Sequence, residues 1–186
     1  MTLRRFVPFV AVLALAPALS SCSKHDRITE AETEGVYVDV DAMKYQVQIS
    51  RQLNPSIPED QTFLSGIAAA DLKLTPDEAW FAVFVRIEND ADSPQQAARS
   101  YVITDTEGAE YRPVTIGRDN PFHYVTAPVP AKSVAPNVDS VAAQTSIAGM
   151  ELLFKVKRTS FDNKPLFLKI HSPRDFSEVA EVDLDV

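Results

Sequence analysis

Trp80-Phe81-Ala82-Val83-Phe84-Val85-Arg86-Ile87 is the stretch that decides the fold. It is apolar on both faces, with only Arg86 breaking the run, and it is rich in β-branched and aromatic residues. A segment of that length and content is a central strand that must be covered from two sides. Its neighbours in sequence show the simpler signal of a half-buried strand, in which apolar and polar residues alternate with period two. Val36, Val38 and Val40 alternate with Tyr37, Asp39 and Asp41, and Tyr45, Val47 and Ile49 alternate with Lys44, Gln46 and Gln48. Met150, Leu152, Phe154 and Val156 point one way, and Val182, Leu184 and Val186 repeat the pattern at the far end. Nowhere do apolar residues recur at i, i+3, i+4 and i+7 over three turns.

Between these segments lie turn signals. Asp105-Thr106-Glu107-Gly108 separates 101–104 from 109–114, a spacing that suits a hairpin with Gly108 in the left-handed region. Leu166–Ile170 follows the turn Asp162-Asn163-Lys164-Pro165. The total of about seven to nine short strands predicts an all-β body over residues 36–186, an immunoglobulin-like β-sandwich. Trp80 is expected in the core between the sheets. Two long segments interrupt the strands, Asn54 to Glu78 and Ile116 to Ser140. The first carries Phe63, Leu64, Ile67 and Leu72, which suits a single helical turn capping the core.

Composition narrows the function. Hydrophobic residues at 45% and charged residues at 24% exclude wholesale disorder. One cysteine allows neither an internal disulfide nor a thiolate zinc cluster. A net charge of -8 and a pI near 4.9 weigh against nucleic acid as partner, since phosphate binding needs a basic face.

The amino terminus reads as an export signal. Arg4 and Arg5 precede an apolar stretch from Phe6 to Leu19, too short to span a bilayer, which needs roughly 20 apolar residues. It ends in Leu19-Ser20-Ser21-Cys22, which resembles the lipobox of bacterial lipoproteins. That resemblance implies a diacylglycerol on the Cys22 sulfur and cleavage of the signal peptide 1–21. Cleavage would remove two arginines and no acid, taking the formal charge from -8 to -10. Such a body is repelled by anionic head groups, so its acyl chains must hold it to the membrane. Residues 22–35 then form the lipidated cysteine and a polar stalk; Ile28 is the only large apolar residue in 23–34, and a short helix near Ile28 to Glu34 would be marginal in isolation.

The motifs AWFAVFVRIEND, YVITDTEGAEYRPV and MELLFKVKR, behind a lipobox and stalk, resemble the immunoglobulin-like domains of bacterial surface lipoproteins. The matching features are the Trp-led strand ending at Asn89, the pattern Asp105, Gly108, Tyr111, and the late alternating strand before a basic turn. The resemblance covers roughly residues 36–171. It implies a fold and an extracytoplasmic, membrane-anchored address, but no reaction.

Few residues point to chemistry. The histidines His25, His123 and His171 share no metal-binding spacing, and no metal or cofactor is expected. Asp90 and Asp92 lack the following acids of a calcium loop and read as turn residues. Asp39, Asp41, Asp183 and Asp185 would gather only if the first and last strands were neighbours; a solvated acidic face is the plainer expectation. No G-x-S-x-G is present, and an acylated Cys22 leaves no thiol, so catalysis is not expected. The segment 120–136 places Phe122, His123 and Tyr124 among four prolines. Aromatic residues on a stiff loop are common interface anchors. The expectation is therefore a lipid-anchored, non-catalytic domain that recognises another envelope protein or a surface ligand, with this loop as the contact. The alternative is a small-molecule or metal-binding accessory lipoprotein of a transporter.

Overall fold

The structure, a computed structural model, describes residues 27–186, and among these nearly all regular structure is β. In chain order the elements are β1 (Glu30–Ala31), β2 (Tyr37–Val40), β3 (Met43–Leu53), α1 (Pro58–Phe63), β4 (Glu78–Asn89), β5 (Gln95–Gln96), β6 (Ser100–Thr104), β7 (Glu110–Tyr111) and β8 (Pro113–Val114). There follow β9 (Pro128–Val129), β10 (Ser133–Ala135), α2 (Val141–Gln144), β11 (Met150–Lys157), β12 (Leu166–His171) and β13 (Val179–Leu184). One sheet runs β1-β13-β12-β6-β7, the other β2-β3-β4-β11-β8, with β10 extending the second along β4. The fold is a β-sandwich.

β4 is the central strand its sequence demands, paired with β3 on one side and with β11 and β10 on the other. Its two faces serve different cores. Phe81, Val83, Val85 and Ile87 point between the sheets and pack with Tyr45, Leu152, Phe154, Leu168 and Val182. Trp80, Ala82 and Phe84 point outward and lie beneath α1, where Phe63, Leu53 and Leu153 complete a second cluster. Trp80 is therefore buried, as expected, but under the cap and not between the sheets. Both faces of a strand that continues one apolar run look alike in sequence, which is why the two cores could not be told apart. The predicted helical turn is α1, held by an ion pair from Arg51 to the buried Asp60 and by Asp60 accepting from the Asn54 amide at 2.7 Å.

Two further expectations are corrected. Ile49 does not face the core, because an irregularity in the β3–β4 register between Val47 and Ile49 inserts Gln48 and reverses the phase. Ile49 is 38% exposed and Ser50 is buried in its place. Residues 27–35, assigned above to a flexible stalk with a marginal helix, instead lie against the sandwich. Glu30 and Ala31 pair in parallel with Glu181 and Val182 of β13. The Asp39 amide donates to the Ile28 carbonyl at 2.6 Å, the Glu181 amide donates to that of Thr29 at 2.8 Å, and Arg27 pairs with Glu178. The polar side chains of this strap find partners on the body: Thr33 donates to Asp185 at 3.0 Å and the Glu34 carboxylate accepts from the Ser50 amide at 3.0 Å. The hairpin at 105–108 is as predicted, with Gly108 at φ 84°.

Candidate functional site

The proline-stiffened segment forms a site, but its aromatic residues do not present themselves to a partner. Phe122 is only 4% exposed and packs edge-on against Phe63 at 4.8 Å and Phe84 at 6.2 Å between ring centres. Tyr124 is half-buried; its hydroxyl donates to the Ala98 carbonyl at 2.8 Å and accepts from Tyr101 at 2.6 Å. Tyr124 thus ties this segment to 97–101, and the Tyr45 hydroxyl of β3, accepting from the Ala98 amide at 2.8 Å, holds 97–101 to the second sheet. Burial raises the phenols of Tyr101 and Tyr124 well above their ordinary range and that of Tyr45 to about 12, which keeps all three as neutral hydrogen-bonding groups. The expected contact residues Phe122 and Tyr124 thus anchor the loop to its own domain, because both rings fit apolar space the sheets leave open. His123 is half-buried, with Nδ1 2.7 Å from the Asn120 carbonyl.

Two buried asparagines fix the rest of the segment. Asn120 Nδ2 donates to the carbonyls of Phe63 at 2.9 Å and Ser65 at 3.0 Å, while its Oδ1 accepts from the Phe122 amide at 2.8 Å. Asn89 Nδ2 donates to the carbonyls of Val129 at 2.9 Å and Pro130 at 2.8 Å. Loop carbonyls inside a fold must be satisfied, and each asparagine satisfies two at once. The only sequence signal was the placement of each Asn at the end of an apolar strand or at the start of the proline-rich run.

Held at both ends, the segment curls into a cleft of about 580 Å³ whose surface is mostly apolar. Val125, Val129, Val134, Ala135, Val138 and Met150 line it, with His123 and Lys132 among the polar residues. Lys132 is already engaged by Asp92 at 3.1 Å. Val138 at 63% and Val125 at 41% exposed form part of an apolar rim. Mostly apolar, the cleft is of ordinary ligand-site size. By contrast, an open groove of about 510 Å³ on the outer face of the five-stranded sheet is lined by Glu110, Arg112, Lys169 and Glu181, where Lys169 and Glu181 pair with each other.

The acids behave as strand and turn residues. Asp39 accepts from the Ile28 amide, Asp41 from the Ser172 hydroxyl, and Asp90 pairs with Lys44. Among the described residues no three His, Cys, Asp or Glu side chains converge as metal ligands would. Glu151 is the exception in environment: it is 1% exposed, neither carboxylate oxygen has a hydrogen-bond partner, and burial raises its carboxyl to about 8. The Asn120 amide opposes that shift in part, but its Nδ2 is committed to the two loop carbonyls. Cys22, the expected lipidation site, and His25 lie outside the described residues.

No family model matches the chain, and no curated protein matches it in sequence. Several solved structures are similar at low identity. The YjhA protein of Bacillus subtilis is 10% identical, covering 83% of this chain and 99% of its own, with a TM-score of 0.47. An uncharacterized β-sandwich protein of Clostridium difficile 630 is 9% identical, covering 83% and 95%, at 0.46. A candidate lipoprotein of Bacillus subtilis, YcdA, is 10% identical at 0.49; the match covers 80% of this chain but 38% of that one. At these scores the fold rests on the strand pairing described above.

Proposed function

We propose that the chain is a lipid-anchored, extracytoplasmic binding domain that receives an apolar group in the cleft of residues 121–142 and performs no chemistry. The observation that supports this reading is the cleft itself: about 580 Å³ of mostly apolar surface, held open by Asn89 and Asn120. A body that merely spaced other parts apart would gain nothing from leaving valines and prolines in an open hollow, because apolar surface left in water costs about 25 cal/mol per Å². The apolar group belongs to another envelope component, either a surface ligand or a partner protein. Anchoring through Cys22 follows from the lipobox resemblance, and among the described residues no helix is long and apolar enough to cross a membrane.

The test uses a photo-cross-linking residue at position 138, on the rim, in full-length protein in intact cells. The same residue at position 107, in the 105–108 turn at the opposite end, serves as control. An adduct specific to position 138 is expected. Equal labelling from both positions, or none, refutes the cleft as the binding site.

A further inference from the structure

The position of the cleft relative to the start of the described chain narrows what enters it. β1 runs parallel to β13, so Arg27 and Ile28 lie at the end of the sandwich where β13 begins and β4 finishes. Arg27 donates to the Asp41 carbonyl at 3.0 Å in the turn between β2 and β3. The cleft is at this same end, since Ser133 of β10 pairs with Asn89, the last residue of β4. The strap lies beside β2 at Ile28, and β2, β3, β4 and β10 are successive neighbours, so the cleft is roughly four strand spacings, or about 19 Å, from where the strap enters. Four residues separate Cys22 from Arg27, and the five Cα–Cα steps between them reach at most about 18 Å.

A chain acylated at Cys22 therefore has little freedom to lift this end of the sandwich from the bilayer. The strap takes up nine, 27–35, of the fourteen residues 22–35 that read as a stalk in sequence. The same end carries exposed apolar side chains: Ile28 is 49% exposed, and Phe176, in the loop before β13, is 62% exposed with one ring face stacked on His171. Val125 and Val138 line the cleft itself, while Phe176 lines the groove on the outer face of the five-stranded sheet. The polar chemistry of the cleft also selects. Lys132, the one lysine of the lining, shares an exposed ion pair with Asp92, and His123 Nδ1 faces the Asn120 carbonyl. The body is strongly acidic, which disfavours an anionic ligand. An uncharged hydrocarbon chain suits what remains.

We propose that the cleft takes an acyl chain of a zwitterionic lipid from the membrane to which the protein is anchored. The inference rests on the reading of the cleft as the binding site. A preformed apolar hollow presented to a bilayer surface lets a chain move between two apolar surroundings without crossing bulk water.

Full-length protein carrying its own amino-terminal segment is to be reconstituted in vesicles of phosphatidylethanolamine and phosphatidylcholine. A small fraction of the phosphatidylcholine carries a diazirine near the tail of one acyl chain. After irradiation and digestion, adducts are expected on peptides covering 121–142. Ala127→Trp places an indole in the exposed mouth of the cleft and should lower that labelling by about tenfold, equivalent to about 1.4 kcal/mol of binding. Val138→Glu puts a charge on the exposed rim and should lower it as well, which guards against an effect peculiar to one variant. Both must melt within about two degrees of wild type, as changes at exposed positions do. Adducts confined to peptides outside 121–142, or undiminished in both variants, overturn the inference. If position 138 cross-links a protein in cells while no lipid adduct forms in vesicles, the cleft remains a binding site and its occupant is not lipid. If neither reaction occurs, both readings fail together.

Discussion

A carboxyl with neither oxygen paired is far less costly to bury while it holds its proton, and Glu151 shows what that does to stability. Below about pH 4.5, folded and unfolded chains both keep the proton; between there and about pH 8 the unfolded chain loses it first. The folded state binds more protons across that window, so the Glu151 contribution to stability falls as pH rises, and is fully lost above about pH 8. Glu151→Gln keeps the shape and removes the ionisation. Its stability relative to wild type should therefore climb between pH 5 and pH 8 by on the order of a few kcal/mol, read from urea midpoints. A difference that stays constant over that range would show that Glu151 is not held protonated. Phe122 tests burial in another way. Phe122→Ala removes a ring packed on Phe63 and Phe84 and should cost roughly 3–5 kcal/mol. A loss below about 1 kcal/mol, the range of surface changes, would restore Phe122 to the exposed role its loop position implied.

Elements differ in how far their sequence gives them away. β4 was legible because an apolar run with covered faces leaves a strand few alternatives, β13 because its alternation is unbroken, and β11 because Met150, Leu152, Phe154 and Val156 keep period two although Leu153 on the other face is apolar. The phase of β3 beyond Val47 was not, since a single inserted residue reverses every later side chain and leaves no mark in composition. The strap was not legible either. Its strand is two residues long, and its partners Glu181, Glu178 and Asp185 lie about 150 positions away, so the segment on its own looks like a polar stalk. The same division holds at the candidate site: the four prolines mark 120–136 in the sequence, whereas the pinning by Asn89 and Asn120 depends on carbonyls brought near only by folding. A docked strap has a measurable consequence. The Glu181 amide, on the strand edge that β1 covers, donates to Thr29. In hydrogen exchange on the full chain it should be protected nearly as well as the amides of β12. Exchange at the rate of an open edge would mean that residues 27–31 detach, and that the tether is longer than the structure makes it.

At the scale of the whole molecule, charge and attachment pull against each other. With residues 1–21 removed the chain carries a formal charge of -10, so its surface has no general attraction for an anionic leaflet, and the apolar residues at the strap end are scattered. Neither could hold the protein on a membrane, which leaves attachment to the acyl chains expected on Cys22. A single chain gives only marginal, reversible binding, while two or more anchor stably, as the diacylglycerol of a lipobox cysteine would. Cys22→Ala should therefore move the protein wholly into the soluble fraction, with no partial retention through the body. The body should still fold, because the strap begins at Arg27 and every contact it makes lies beyond the substituted residue. Fractionation with incorporation of labelled fatty acid measures both halves of the claim. Retention of the variant in membranes, together with unlabelled wild type, would refute the anchor and remove the geometric reason for a bilayer-facing cleft. Release of the variant with its melting temperature unchanged, against a labelled and membrane-bound wild type, would show that the anchor alone sets where the sandwich resides and that the fold is independent of it.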